Sequence, residues 1–235
     1  QLSFASSKEY LIEICQKAFD LQVKLFIDGE ESWIQNSIDL LAYEMMEKFN
    51  KNEVIIYNTF QMYRVDMFGN LTNAIKSAQD KSYFLGVKLV RGAYLEKERQ
   101  RSHEENYSEP LHKNKQDTDR DFNAAVDLCL ENLERVYFCV GTHNEESCIL
   151  LCDKMKKLGL STDHKQIHFA QLLGMSDNIS YNLAHFGYNV AKYVPYGPIK
   201  EVIPYLIRRA EENTSVSGQT GRELSLIKIE VERRN

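Results

Sequence analysis

The sequence predicts an α/β protein built as a (β/α)8 TIM-type barrel, and three observations predict it. Six short apolar runs alternate with helix-period stretches along most of the chain, which implies parallel strands returned by crossover helices. Polar residues gather just after almost every run, as a barrel requires when each strand lends a group to one shared mouth. No run is followed by G-x-G-x-x-G, so the competing architecture, an open doubly wound sheet, lacks its dinucleotide-binding signature. A closed barrel needs two more strands than the chain shows. The expectation is therefore the C-terminal six or so strands, with the first ones missing from this numbering.

The elements follow in order. Residues 7–21 read as a helix with Leu11, Ile14, Cys15, Ala18 and Leu21 on one face, and residues 23–27 read as a strand ending at Asp28-Gly29-Glu30-Glu31. Helix 33–49, strand 54–57, helix 71–81 and strand 87–90 repeat the unit. The polar stretch 100–120 reads as loop plus the start of a helix. Helix 121–133, strand 136–140, helix 145–158, strand 167–170, a helix over 176–185 and a strand over 190–194 come next. Final helices are expected over 200–212 and 221–233. Asp28 follows the first strand, Gln61 the second, Arg91 to Tyr94 the third and Thr142-His143-Asn144 the fourth. Gln171 lies near the fifth strand and Tyr193 on the sixth.

Composition bounds the class. A chain of 235 residues with 43% hydrophobic content can bury one large core or two small ones. A net charge of -5 argues against a nucleic-acid binder, because no basic excess is available to neutralise phosphates over a surface. Any anion must be met by a local cluster. The five cysteines are odd in number and scattered, without a C-x-x-C pair, which fits reduced thiols better than a disulfide framework or a zinc site. No run approaches the roughly 18 apolar residues of a membrane span. The N-terminus is neither a signal peptide nor a transit sequence, and its internal look is compatible with a targeting sequence removed upstream.

The segment VKLVRGAYLEKER, residues 87–99, concentrates the chemistry. Lys88 and Arg91 bring charge, Gly92 and Ala93 allow close backbone approach, and Tyr94 offers a ring face, a set suited to a flat or anionic cofactor. Taken alone the segment fits equally a buried strand with two snorkelling cations and a turn glycine.

Together with YNTFQMYR, THNEES, FAQLLGM and KYVPYGPIKEVIPYLIRRAEEN, this segment resembles the flavin-dependent proline dehydrogenase family, in the family's order and from about Val23 to Asn213. The resemblance implies a (β/α)8 barrel with FAD at the carboxyl ends of the strands. It also implies oxidation of L-proline to Δ1-pyrroline-5-carboxylate and transfer of the electrons to a quinone. The barrel is assigned to residues 1–213 and a tail helix to 214–235.

By the same resemblance, Gln61, Lys88, Arg91, Gly92, Ala93, Tyr94, Thr142, His143, Asn144 and Glu212 hold the cofactor. Tyr94, Leu172, Tyr193, Tyr205, Arg208 and Arg209 form the substrate site. Lys88, Asp28 and Tyr193 stand at the chemistry. These types suit the reaction: proline is a zwitterion with a small apolar ring, so arginine forks can grip its carboxylate while aromatic walls enclose the ring. Tyr205 and Arg208 share a helix face at i and i+3. Lys88 would place positive charge where negative charge develops on flavin reduction. A carboxylate at Asp28 needs a partner, either Tyr193 or a cation. The relatives that prefer hydroxyproline tend to carry a smaller polar residue where this chain has Tyr193, which favours proline.

One departure stands out. The family also uses a lysine on an early strand, and Lys8 lies in a helix start instead. An incomplete barrel, or a break before Gln1, is expected. The family's long eukaryotic members are mitochondrial, on the matrix side of the inner membrane, and the charged end GRELSLIKIEVERR resembles theirs. It is also the candidate for peripheral membrane contact. The other readings are a hydroxyproline dehydrogenase, a non-catalytic paralogue, and a metal-dependent barrel enzyme drawing on Asp28, Glu30, Glu31 and His143.

Overall fold

In the computed structural model, which describes residues 4–215 and 219–234, six parallel strands form one sheet in strict sequence order. The side chains of residues 208–224 and of residue 226 lie outside the description. The strands are β1 (Leu25–Ile27), β2 (Ile56–Gln61), β3 (Leu85–Val90), β4 (Val136–Gly141), β5 (Ile167–Leu172) and β6 (Val190–Tyr193). Helices precede and separate them: α1 (Phe4–Asp20), α2 (Ser32–Phe49), α3 (Met67–Asp80), α4 (Leu95–Glu104), α5 (Lys115–Glu131), α6 (Glu145–Lys157) and α7 (Asp177–His185). Two more, α8 (Ile199–Ser215) and α9 (Gln219–Arg234), follow β6.

A doubly wound sheet reverses its strand order at one point, and this one never does. Right-handed crossovers in a constant direction leave every helix on the same face, so the wall is that of a barrel, open along β1 and β6. Alternation along the strands confirms which face is which. Ile56, Phe60, Leu85, Val87, Leu89, Val136, Phe138, Val140, Ile167 and Phe169 belong to the core packed against the helices. Their neighbours point to the opposite, concave face. The register sets Thr59 beside Lys88, Lys88 beside Cys139, and Cys139 beside His168, forming one row across that face.

Two expectations about elements change. The second strand runs on to Gln61 instead of stopping at Tyr57, because its polar residues find partners. Asn58 donates to Asp39 of α2 at 2.7 Å and Thr59 donates to the Ile27 carbonyl at 2.7 Å, which removes the cost of burying them. The polar stretch 100–120 holds the end of α4 and the first turns of α5. Asn114 caps α5 by accepting from the Asp117 amide at 2.8 Å, so the helix starts six residues before the expected Asp121.

Candidate active site

The carboxyl ends of the strands collect the charged and aromatic residues. At the end of β1, Asp28 accepts a hydrogen bond from Lys88 Nζ at 2.5 Å, bridging from β1 past β2 to β3. The cation is therefore the partner that the carboxylate required, and Tyr193 is not. Gly141 lies beside the Lys88 stem, where a Cβ would be in ordinary contact with Lys88 Cε at 3.7 Å and would crowd Val90 Cγ1 at 3.1 Å. Beside it on the concave face, burial pushes the Cys139 thiol up to about 12, with Lys88 acting weakly in the other direction. Cys139 is thus a neutral filler of the floor. Further along the row, burial and the Lys24 cation hold His168 down to about 4, so its imidazole is neutral at physiological pH.

The Arg91-to-Tyr94 corner is built from the backbone outward. Gly92 has φ +134°, and a Cβ there would come within 2.4 Å of the Tyr63 ring, so only glycine fits. Ala93 and Tyr94 follow half-buried, with Tyr94 at the start of α4 and Lys97 Nζ 5.3 Å from its ring centroid. Gln61 is buried, and its amide donates to the Glu30 carbonyl at 2.7 Å, tying β2 to the Asp28–Glu31 loop.

Arg91 faces inward to protein groups. Its Nε donates to Asp119 Oδ1 at 2.7 Å, one terminal nitrogen donates to Thr142 Oγ1 at 2.8 Å, and the other donates to Ser147 Oγ at 2.9 Å. Its Cζ lies 4.2 Å from the centroid of the Phe122 ring. Burial works against the charge on Asp119, but hydrogen bonds from Lys115 and Arg91 outweigh it and hold the carboxyl below its ordinary range. Asn144 serves as the cap of α6, accepting from the Ser147 amide at 2.9 Å. His143 Nδ1 lies 3.0 Å from Ser176 Oγ, and Ser176 sits in the left-handed region at φ 51°.

At the far edge, Tyr193 on β6 and Tyr205 on α8 bring their ring centroids to 5.7 Å with an interplanar angle of 45°. Tyr193 is 42% exposed, an open ring at the strand end. Leu172 is the last residue of β5 and pairs in register with Tyr193, which sets these two predicted walls side by side. The predicted Arg208, Arg209 and Glu212 fall on α8 with side chains outside the described residues.

Sequence reasoning missed several supporting groups. Asp119 and Ser147 hold Arg91, Ser176 meets His143, and Lys192 Nζ binds the Met175 carbonyl at 2.8 Å and Asp177 at 2.7 Å, fastening the loop after β5. The N-cap signature at Asn114 was the one visible cue, because it dates the start of α5 and so puts Asp119 on a helix. A cavity between α6 and α7, lined by Cys148, Ile149, Ile179, Leu183 and Phe186 among others, includes none of the predicted site residues. Among the described residues no cluster of His, Cys, Asp or Glu is arranged to hold a metal ion.

A parallel barrel wall whose strand ends offer a lysine–carboxylate pair, aromatic rings and a clamped loop places the chain among α/β-barrel proteins with polar groups gathered where such folds carry their sites. The family follows from comparison: residues 2–222 match the proline dehydrogenase family model, and the chain belongs to that family. It is similar to "Proline dehydrogenase 1, mitochondrial" of Homo sapiens, 40% identical over 224 residues, covering 94% of this chain and 37% of that protein. It is also 36% identical over 233 residues to "Hydroxyproline dehydrogenase" of Xenopus laevis, covering 97% of this chain and 50% of that one. The chain thus spans half or less of the length of these relatives. Among solved structures, proline utilization A (PutA) from Bdellovibrio bacteriovorus inactivated by N-propargylglycine superposes with a TM-score of 0.81 at 24% identity, covering 92% of this chain and 23% of that one. This likeness extends the barrel assignment over nearly the whole chain.

Proposed function

We propose that the protein carrying this chain oxidises L-proline to Δ1-pyrroline-5-carboxylate with FAD as hydride acceptor, passes the electrons to a quinone, and works in mitochondria at the matrix side of the inner membrane. The observation that carries the reading is that the Asp28–Lys88 pair, the Gly92–Tyr94 corner and the Tyr193–Tyr205 ring pair lie toward the carboxyl ends of the strands of one parallel sheet, in a chain of the proline dehydrogenase family. The mitochondrial location rests on names such as that of the human relative.

The donor set fits a flavin. Lys88 supplies a cation, Tyr94 a half-exposed ring, Gln61 an amide and Thr142 a hydroxyl, while Gly92 and Ala93 keep the adjoining backbone bare. These residues, with His143, Asn144 and Glu212, would hold the cofactor, and Arg91 would support them from behind through Thr142. Bound FAD supplies the two-electron acceptor for a hydride from the ring carbon next to the substrate nitrogen, as that nitrogen gives up a proton and the C=N bond forms.

The chain's own residues do the rest. Arg208 and Arg209 would grip the substrate carboxylate, since a guanidinium matches it in two places. Tyr94, Leu172, Tyr193 and Tyr205 would wall the ring and exclude water. Lys88 would stabilise negative charge developing during the hydride step, and Asp28 holds the lysine at that place. The hydroxyproline relative motivates a second reading, which Tyr193 weighs against by resemblance, since the relatives that prefer hydroxyproline tend to carry a smaller polar residue there. Steady-state turnover of L-proline and hydroxyproline by the full-length protein with a soluble quinone tests the choice. A higher kcat/KM for L-proline is expected; preference for hydroxyproline would overturn it.

A further inference from the structure

Arg91 is drawn into the protein at every contact described for it, which raises the question of what its charge accomplishes. Arginine can only donate, so Thr142 Oγ1 and Ser147 Oγ must both accept from it. Ser147 passes its own hydroxyl hydrogen to Asn123 Oδ1 at 2.9 Å. Thr142 Oγ1 accepts a second bond, from the Asn144 amide at 3.1 Å. Two accepted bonds fill both lone pairs of the threonine oxygen, and the group left for Thr142 to use is its hydrogen.

We infer that Asp119 is a positioning residue which, by holding Arg91 against Thr142, turns the Thr142 hydroxyl into an obligate donor for an acceptor oxygen of the cofactor. The oxygen's chemistry is that of a phosphoryl or sugar-alcohol group. The inference rests on the proposed flavin reading and deepens it. Arg91 is a strut in this arrangement, set over the Phe122 ring and anchored in α5 through Asp119, and it transmits the placement of that helix to the Thr142–Asn144 loop. Asp119 suits the anchoring role because it faces the guanidinium and Lys115 together, which favours its ionised form.

The test is a double-mutant cycle on the full-length protein stripped of flavin, read as the FAD dissociation constant by fluorescence quenching. Asp119→Ala is expected to weaken binding about 10-fold, the scale of a lost charge-assisted hydrogen bond. In a Thr142→Val background, which has no hydroxyl to orient, the same change is expected to weaken binding less than about 2-fold. Asp119→Asn, which keeps an acceptor without the charge, carries the same cycle if the alanine variant does not fold. Equal losses in both backgrounds, or tight binding by the variant, would overturn the inference while leaving the flavin reading intact. A wild-type protein that takes up no flavin overturns both.

Discussion

At the scale of single residues, Lys88 carries the account. Its nitrogen is pinned by Asp28 at 2.5 Å, its stem runs past Gly141, and it sits midway along a concave row between Thr59 and Cys139. Replacing it by methionine keeps the stem and removes the charge. Lys88→Met is expected to lower the rate of proline-dependent flavin reduction by about 10²-fold, the usual effect of deleting one group that stabilises developing charge. Stopped-flow absorbance on the anaerobic enzyme measures it, and a rate unchanged within about 2-fold would remove Lys88 from the chemistry. The charge of Lys88 was legible in the sequence, since a cation on an otherwise apolar strand calls for a partner. The identity of that partner was not, because Asp28 lies 60 residues away and only the parallel register brings it across.

At the scale of elements, the loops are tied together by buried polar groups that no local pattern announces. Glu98 on α4 is fully buried, and its two oxygens accept from the Ser32 amide and the Ser32 hydroxyl, both at 2.6 Å. It thereby satisfies the start of α2, while Lys97 bonds Glu31 at 2.8 Å and Arg101 lies 4.7 Å from the Trp33 ring centroid. These contacts clasp the Asp28–Glu31 loop from above. Glu98→Ala is expected to cost about 1–3 kcal/mol of stability, because it leaves a helix-terminal amide and a hydroxyl without their acceptor. Urea denaturation of the variant checks it, and an unchanged midpoint would show that α4 contributes no such clasp. In the sequence, LEKER reads as an ordinary charged helix start, so the buried glutamate was indistinguishable from its solvated neighbours. The strands and their order fared better, since apolar runs between helical periods carry that information directly. The errors fell at polar residues: Asn58 and Thr59 are satisfied by partners distant in the sequence, whereas the first turns of α5 start from a local cap at Asn114.

At the scale of the whole molecule, the open sheet has a concave face that mixes charge with aromatic floor. Lys24 lies 5.9 and 5.6 Å from the centroids of Tyr57 and Tyr137, and burial lowers its pKa. His168, also lowered by burial and by that lysine, stays neutral in the fold to about pH 4, whereas the unfolded chain protonates it from about 6.5. The unfolded state therefore binds more protons between those values, and stability falls as pH drops from about 6.5 to about 4. Replacing His168 by Asn is expected to flatten that part of the curve, as read from urea midpoints across the range. A variant with the wild-type slope would assign the acid sensitivity elsewhere. The same face, with its rim of Asp28, Lys88, Tyr94, Tyr193 and Tyr205, is where proline oxidation is proposed to occur. Anaerobic addition of L-proline to the flavin-loaded full-length protein tests that most directly. The account predicts that the visible flavin absorption bleaches as the bound cofactor is reduced; a bound flavin whose spectrum stays oxidised with saturating proline would contradict it.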